Sequence, residues 1–128
     1  MQIVDTIVLV GAINPRSANH DLASRYVSLV GKDEETFVPL VSAIEFDLVM
    51  KGRKYTSSQR RDAFEWLTHM VPSVKIACNS VFSLRTAIEF QESGMGYFDS
   101  LIAALAIERN ATVLTTDEEI SEVAKTRW

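Results

Sequence analysis

Four acidic residues of this chain lie in apolar sequence, where an ionised carboxylate needs an explanation. They are Asp5, Glu45, Asp99 and Asp117. Burying a carboxylate without a partner costs several kcal/mol, so such a group is normally paired with a cation, hydrogen-bonded or bound to a metal. Most of the other acids lie in polar stretches and carry no such signal. These four side chains are therefore the first candidates for chemistry.

Three of the four acids also have a purely structural interpretation. Asp99 can be the N-cap residue of a helix, Asp117 can be a first-turn acid that complements the helix dipole, and Asp5 can accept turn N–H groups. Taken singly, these alternatives stay open, and for Asp99 and Asp117 the structural interpretation is the better one.

Glu45 is harder to explain structurally, because Val41, Leu48 and Val49, which lie three or four positions away along a helix, are apolar. Its neighbour Asp47 stands four residues before Lys51 and can form an ordinary surface pair with it. Of these two acids we therefore choose Glu45 as the candidate for the site.

Short apolar strands alternate with helices along the chain. The pattern predicts strands at 3–4, 36–38, 74–77 and 112–115, and helices directly after Asp5 and at 18–30, 40–50, 57–69, 79–92 and 99–109. Gly31 is a plausible C-cap, and residues 116–119 form a capping-box pattern for a last helix. This alternation predicts an α/β fold, a three-layer α/β/α sandwich around a mainly parallel sheet.

A parallel sheet gives the four acids a common location. The carboxyl ends of the strands share one edge of such a sheet, and ligands bind there. Four carboxylates in one pocket would repel one another and raise their pKa values unless a cation neutralised them. With oxygen ligands only, we expect that cation to be Mg²⁺ or Mn²⁺.

Length and composition limit the remaining possibilities. The 128 residues are 47% hydrophobic, which fits one domain over 1–128 with a real core. One cysteine and two histidines cannot make a disulfide or a four-ligand N/S zinc site. The N-terminal residues fit neither a secretion signal nor a membrane span, so we expect a cytoplasmic protein without membrane contact. The net charge of −4 argues against nucleic acid, but without the four acids the chain has thirteen acids and thirteen bases.

Several motifs in this order resemble PIN domains, particularly the VapC-type toxins of prokaryotic toxin-antitoxin pairs. The resemblance covers essentially the whole chain. The motifs are Val4-Asp5-Thr6, Val38-Pro39 leading into the helix with Glu45, the run from Phe98 to Ala106, and Val113 to Asp117. The resemblance implies a Mg²⁺- or Mn²⁺-dependent ribonuclease, RNA as substrate, a homodimer and a cognate antitoxin protein as a possible partner.

The resemblance also assigns roles by position. Asp5, Glu45, Asp99 and Asp117 match the acidic quartet of the family, and Thr115 matches its Ser or Thr two residues before the last acid. Thr6 matches the small polar residue that follows the first acid, and Glu119 is the nearest match to a further acid found in many members. Its place in the capping-box pattern leaves that last role open.

Basic residues for RNA contact are concentrated in one part of the chain. Lys51, Arg53 and Lys54 form the densest group, followed by the Arg60-Arg61 pair, and Arg16 lies in the first loop region. Phosphate contacts by Lys and Arg would make RNA affinity depend on salt. Solvated helix ends and surface pairs are an equally good explanation for any one of these residues.

Other functions fit the sequence less well than that of a metal-dependent nuclease. Nucleophilic catalysis at Cys78 would need a neighbouring base, and Cys78 is better explained as a small apolar filler. A phosphoacceptor signalling domain would need a late strand that ends in Lys, which the sequence lacks. A catalytically silent PIN scaffold, and a PIN nuclease that processes RNA without an antitoxin, remain as alternatives.

Overall fold

The computed structural model describes residues 1–128. Five short strands alternate with seven helices along the chain. The strands are β1 (Gln2–Val4), β2 (Thr36–Pro39), β3 (Ile76–Ala77), β4 (Thr112–Leu114) and β5 (Thr126–Arg127). The helices are α1 (Thr6–Ile13), α2 (His20–Lys32), α3 (Leu40–Gly52), α4 (Ser57–Met70), α5 (Val81–Glu92), α6 (Tyr97–Arg109) and α7 (Glu118–Ser121).

The strands form one sheet in the order β3-β2-β1-β4-β5, and every neighbouring pair is parallel. The central strand β1 pairs with β2 on one side and with β4 on the other, with Val4 opposite Leu114. The carboxyl ends of β1 and β4 therefore lie side by side at one edge of the sheet. The α/β fold with a parallel sheet, expected from the alternation of strands and helices, is confirmed.

Helices cover both faces of the sheet because successive side chains of each strand point to opposite faces. Val4 and Leu114 pack into a large apolar core with residues of α1, α2, α3 and α4. Their neighbours Ile3 and Val113 pack into a second core with residues of α6 and α7. These two cores make the structure a three-layer α/β/α sandwich.

Gly31 has a different role from the predicted one. Helix α2 continues to Lys32, and Asp33 is its C-cap residue. A Cβ atom at Gly31 would lie 2.8 Å from the backbone oxygen of Met70, at the end of α4. Gly31 is thus needed for the close approach of α2 and α4.

Two other local expectations are wrong in detail, and one strand was missed. Residues Ser73–Lys75 form a 3₁₀ turn, so the predicted strand at 74–77 is reduced to β3. Asp117, not Thr116, caps α7, since its Oδ1 accepts the backbone N–H groups of Glu119 and Ile120. Strand β5 was not predicted, because its two residues gain their strand character only by pairing with β4.

No helix combines the length and the apolar character that crossing a membrane requires.

Candidate active site

Asp5 joins the end of β1 to the start of α1. It is the N-cap residue of α1, in an extended conformation, and its Oδ1 accepts the Thr6 backbone N–H at 2.6 Å. The short strand that runs directly into a helix, as expected from the sequence around Asp5, is confirmed. Asp5 is only 5% exposed, so its carboxylate lies at the bottom of the site rather than at its rim.

Thr115 follows the neighbouring strand β4 and links two of the acids. Its hydroxyl donates to Asp5 Oδ2 at 2.5 Å and accepts the backbone N–H of Asp117 at 2.9 Å. Thr115 is itself buried. Both oxygens of Asp5 are therefore held by hydrogen bonds, and the turn that carries Asp117 is fixed relative to Asp5.

Two helices bring the remaining acids to the same place. Glu45 lies in the second turn of α3, Asp99 in the first turn of α6, and the two helices contact each other. One carboxylate oxygen from each of Asp5, Glu45 and Asp99 lies within 4.8 Å of the other two. Asp99 also belongs to a second such group, with Asp117 and Glu119. The carboxylates that the sequence singled out thus meet around Asp99.

The acids line an open cleft of about 290 Å³ at the carboxyl edge of the sheet. Its other lining residues are mostly small or apolar, and Arg53 is the one basic residue among them. The complete lining consists of Asp5, Thr6, Ile7, Val10, Glu45, Val49, Arg53, Asp99, Thr115, Thr116 and Asp117.

No basic side chain neutralises this group of acids. The two ion pairs of the structure lie elsewhere, between the N-terminus and Glu35 and between Arg60 and Asp47. An uncompensated group of carboxylates is destabilising, because their charges repel and their burial removes water. The protein thus maintains an arrangement that a bound cation would stabilise.

The pKa values of two acids reflect this environment. Burial raises the pKa of Asp5 to about 6, against the lowering effect of the Thr115 hydrogen bond and with a further rise from the charge of Glu45. For Asp5 this change corresponds to about 3 kcal/mol of destabilisation of the ionised form. The pKa of Asp99 is raised to about 7, first by burial and then by the charges of Asp117 and Asp5.

The donor atoms fit a hard divalent cation. They are carboxylate oxygens, spaced closely enough to share one ion, and Mg²⁺ and Mn²⁺ prefer oxygen ligands. The hydroxyl of Thr6, beside Asp5, is buried without any hydrogen-bond partner, which is costly for a polar group unless something else occupies the site. Asp5, Glu45 and Asp99 could share one such ion, and Asp99 could share another with Asp117 and Glu119.

Some structural interpretations of the acids are now excluded. Asp99 is not an N-cap, because α6 begins at Tyr97 and Gly96 is its N-cap residue. The pairing of Asp47 with Lys51 is wrong, since the carboxylate of Asp47 accepts two hydrogen bonds of 2.8 Å from Arg60 of α4.

Glu119 and Cys78 also differ from expectation. Glu119 takes part in no capping box, because Asp117 caps α7, and its carboxylate lies beside those of Asp99 and Asp117. Cys78 is exposed and does not fill a core position.

Among the basic residues proposed for RNA contact, the structure separates Arg53 from the others. Arg53 lines the acidic cleft, whereas Lys51, Lys54 and Arg16 are exposed outside it. Arg60 is held by Asp47. Sequence reasoning missed this distinction, because the predicted helix at 40–50 ended before Arg53, whereas α3 continues to Gly52 and Arg53 is its C-cap residue.

Comparison with known families identifies the family of the chain. The PIN domain family model matches residues 3–126, so this chain belongs to the PIN domain family. The resemblance noted from the acidic motifs is therefore confirmed. No curated protein sequence matches the chain significantly.

Solved structures share the fold at low sequence identity. VapBC2 from Rickettsia felis, bound to a DNA fragment from its promoter, matches with a TM-score of 0.74 and 20% identity over 99% of this chain and 98% of that chain. FitAcB from Neisseria gonorrhoeae matches with a TM-score of 0.72 and 16% identity over 99% of this chain and 97% of that chain. VapC20 from Mycobacterium tuberculosis is a toxin that cleaves the sarcin-ricin loop. It matches with a TM-score of 0.73 and 14% identity over 95% of this chain and 94% of that chain. This likeness is one of fold.

Proposed function

We propose that this chain is a Mg²⁺- or Mn²⁺-dependent ribonuclease that hydrolyses internal phosphodiester bonds of RNA. The observation that carries the proposal is the convergence of Asp5, Glu45, Asp99 and Asp117 on one cleft in which none of these acids forms an ion pair. Membership of the PIN family and the likeness of fold to a toxin that cleaves the sarcin-ricin loop support it.

Each acid has a distinct task in this proposal. Asp5 and Asp99 hold the main ion, and Asp117 assists directly or through water. Glu45 completes a second ion site or orients the attacking water. A divalent ion bound there supplies a nucleophile at neutral pH and neutralises charge on the phosphoryl oxygens.

The uncharged residues of the site position the acids. Thr115 donates to the oxygen of Asp5 that does not accept the Thr6 backbone N–H, which fixes the orientation of the carboxylate. Hydrogen bonds of this kind determine how firmly a ligating carboxylate is held. We infer that Thr115 is a positioning residue for the reaction, acting through Asp5.

The proposed biological setting is the toxin of a type II toxin-antitoxin pair, with a cognate antitoxin as partner. VapBC2 and FitAcB, which share the fold, support this setting. An RNA-processing nuclease without an antitoxin remains the alternative. An open reading frame for a small protein directly upstream of the gene would favour the toxin.

Protein partners, including a second copy of the chain, are supported by exposed apolar side chains on two helices. On α3, Leu40, Ile44 and Leu48 are between 44% and 49% exposed at a spacing of four residues. On α5, Phe82 is 66% exposed and Ile88 is 55% exposed. Contiguous exposed apolar patches often mark sites of contact with another protein. A homodimer would have a mass near twice 14.3 kDa in light scattering.

The proposal is tested by incubating total RNA with the purified chain in Mn²⁺, in Mg²⁺ and in chelator, and mapping the new RNA ends. We expect defined new ends with either metal ion and none with chelator. A folded chain that produces no new ends with either ion would contradict the proposal and favour a silent scaffold.

A further inference from the structure

We propose that Arg53 binds a phosphate of the RNA substrate next to the phosphate at which the strand is cleaved. This contact would set how the strand lies in the acidic cleft. The proposal rests on the ribonuclease function above and adds the residue that orients the substrate. It follows from the face that α3 presents to the cleft, from the lack of any partner for the Arg53 guanidinium, and from the way the helix ends.

Helix α3 and its C-cap residue line the cleft with three residues spaced by four positions, Glu45, Val49 and Arg53. Residues at this spacing lie on one face of a helix. Eight residues of helical rise separate Glu45 from Arg53 by about 12 Å along the axis. One helix face thus carries an acid for the metal at one end and a cation at the other.

The guanidinium of Arg53 is free to bind a ligand. Arg53 is exposed, and its side chain takes part in neither of the two ion pairs nor in any side-chain hydrogen bond of the structure. Every other charged residue that lines the cleft is acidic. A lone cation at the end of an acidic cleft suits a substrate that carries negative charge on either side of the reacting group.

The backbone holds Arg53 at a defined position. Its N–H donates to the oxygen of Val49 at 3.0 Å, and the next residue, Lys54, has a φ of 63°. The N–H groups of Lys54 and Tyr55 donate to the oxygens of Lys51 and Met50, both at 3.0 Å. This is a Schellman motif, which ends the helix directly after Arg53 and turns the chain away.

The chemistry of arginine points to a phosphate as the ligand. The planar guanidinium can donate two parallel hydrogen bonds to phosphate oxygens and stays charged at any physiological pH. About two helical turns separate the backbone of Arg53 from that of Glu45, and the guanidinium shares the cleft without forming an ion pair with its carboxylates. In the proposal its ligand is a phosphate that flanks the reacting one.

A competing role is purely structural, since a cation at a helix C-terminus also complements the helix dipole. Such a role would leave the dependence of RNA affinity on salt unchanged. Lys125 provides a matched control, because it is an exposed basic residue near Asn110 at the C-terminal end of α6, whereas Asp99 lies in the first turn of that helix. Arg53→Gln and Lys125→Gln remove the same charge and differ in access to the cleft.

The experiment measures binding of a fluorescein-labelled, mixed-sequence single-stranded RNA of about twelve nucleotides, in CaCl₂, over a series of KCl concentrations. For Arg53→Gln we expect the slope of log affinity against log salt to decrease by about 0.7, the value for one phosphate contact on a single strand. For Lys125→Gln we expect the slope of the unmodified chain, and Arg53→Lys should have that slope as well.

Kinetics with Mn²⁺ and an RNA that contains a mapped cleavage site give a second readout. A flanking contact predicts a several-fold rise in KM for Arg53→Gln with little change in kcat. An unchanged salt slope for Arg53→Gln, or equal decreases for Arg53→Gln and Lys125→Gln, would overturn the proposal. If the slope falls as expected but the unmodified chain cleaves no RNA, the ribonuclease function fails and the phosphate contact stands.

Discussion

Thr115 and Asp5 are 110 residues apart in sequence and are joined by a buried hydrogen bond of 2.5 Å. The bond connects the carboxyl ends of the neighbouring strands β1 and β4, where Asp5 and Thr115 follow directly. Because the same hydroxyl accepts the N–H of Asp117, one uncharged side chain orients two of the proposed metal ligands. The geometry of the site therefore depends on a residue that needs to bind no metal itself.

Replacing Thr115 by Val should weaken metal binding without unfolding the protein. Valine keeps the shape but leaves Asp5 Oδ2 without its donor, and loss of such a supporting bond typically lowers metal affinity or activity by about 10-fold to 100-fold. Titration calorimetry with Mn²⁺ measures the effect. Thr115→Ser keeps the hydroxyl and should stay close to the unmodified chain. Equal Mn²⁺ affinity of the Val and Ser variants would show that the hydrogen bond is unimportant.

Glu45→Gln should reduce cleavage strongly, whereas Asp47→Asn, two residues away on α3, should leave it unchanged. Glu45 lies in the acidic group, but Asp47 points to Arg60 and forms a partly exposed ion pair. Loss of that pair should lower the free energy of unfolding by no more than about 1 kcal/mol. Initial rates of RNA cleavage and urea unfolding of both variants test this contrast. Equal rates for the two variants would exclude Glu45 from the reaction.

Without metal, the stability of the protein should fall as the pH rises from about 4 to about 7. The pKa values of Asp5 and Asp99 are raised in the folded chain, to about 6 and about 7, from 3.8. The folded chain therefore binds more protons than the unfolded chain in this interval. The contribution of this difference to the free energy of unfolding is lost once both acids ionise. Melting temperatures in EDTA should decrease across this range.

Two further measurements check the cause of that pH dependence. Asp99→Asn should flatten the dependence of the melting temperature on pH in EDTA, because it removes one of the two titrating acids. At about pH 8 in EDTA, this variant should melt at a higher temperature than the unmodified chain. MgCl₂ should raise the melting temperature more at about pH 8 than at about pH 5, because it binds ionised carboxylates. A profile that rises with pH in EDTA would refute this explanation.

Gly31→Ala should destabilise the fold by about 1 to 3 kcal/mol, because the new Cβ would meet the Met70 oxygen at 2.8 Å and force α2 and α4 apart. Gly52→Ala is the matched substitution, since a Cβ at Gly52 meets nothing within 4 Å. Gly52 ends α3, where alanine is tolerated or favourable. In denaturant unfolding, Gly31→Ala should therefore lower the free energy of unfolding, and Gly52→Ala should leave it unchanged or raise it. An unchanged free energy of unfolding for Gly31→Ala would show that α2 and α4 adjust freely.

Much of the fold could be predicted because the pattern of apolar residues determines it locally. The strand at Ile3-Val4, the helix after Asp5 and the apolar helix after Asp99 were all evident from short stretches of sequence. The acids were evident for the same reason, since a carboxylate in apolar sequence is unusual. A parallel sheet then gave them a common edge.

The features that were missed depend on contacts between distant residues. The role of Gly31 follows from the distance to Met70, and the ion pair of Asp47 with Arg60 follows from the packing of α3 against α4. The buried, unpartnered hydroxyl of Thr6 is likewise a property of the folded site. None of these contacts leaves a periodic signal in the sequence.

The most direct test of the central claim is the rate of cleavage of an end-labelled RNA as a function of Mn²⁺ concentration, for the unmodified chain, Asp99→Asn and Asp47→Asn. Asp99 belongs to both groups of carboxylates that could hold an ion, and Asp47 is an acid outside them. We predict saturable, metal-dependent cleavage by the unmodified chain and by Asp47→Asn, and none by folded Asp99→Asn. Undiminished cleavage by Asp99→Asn, or cleavage that persists in EDTA, would contradict the account.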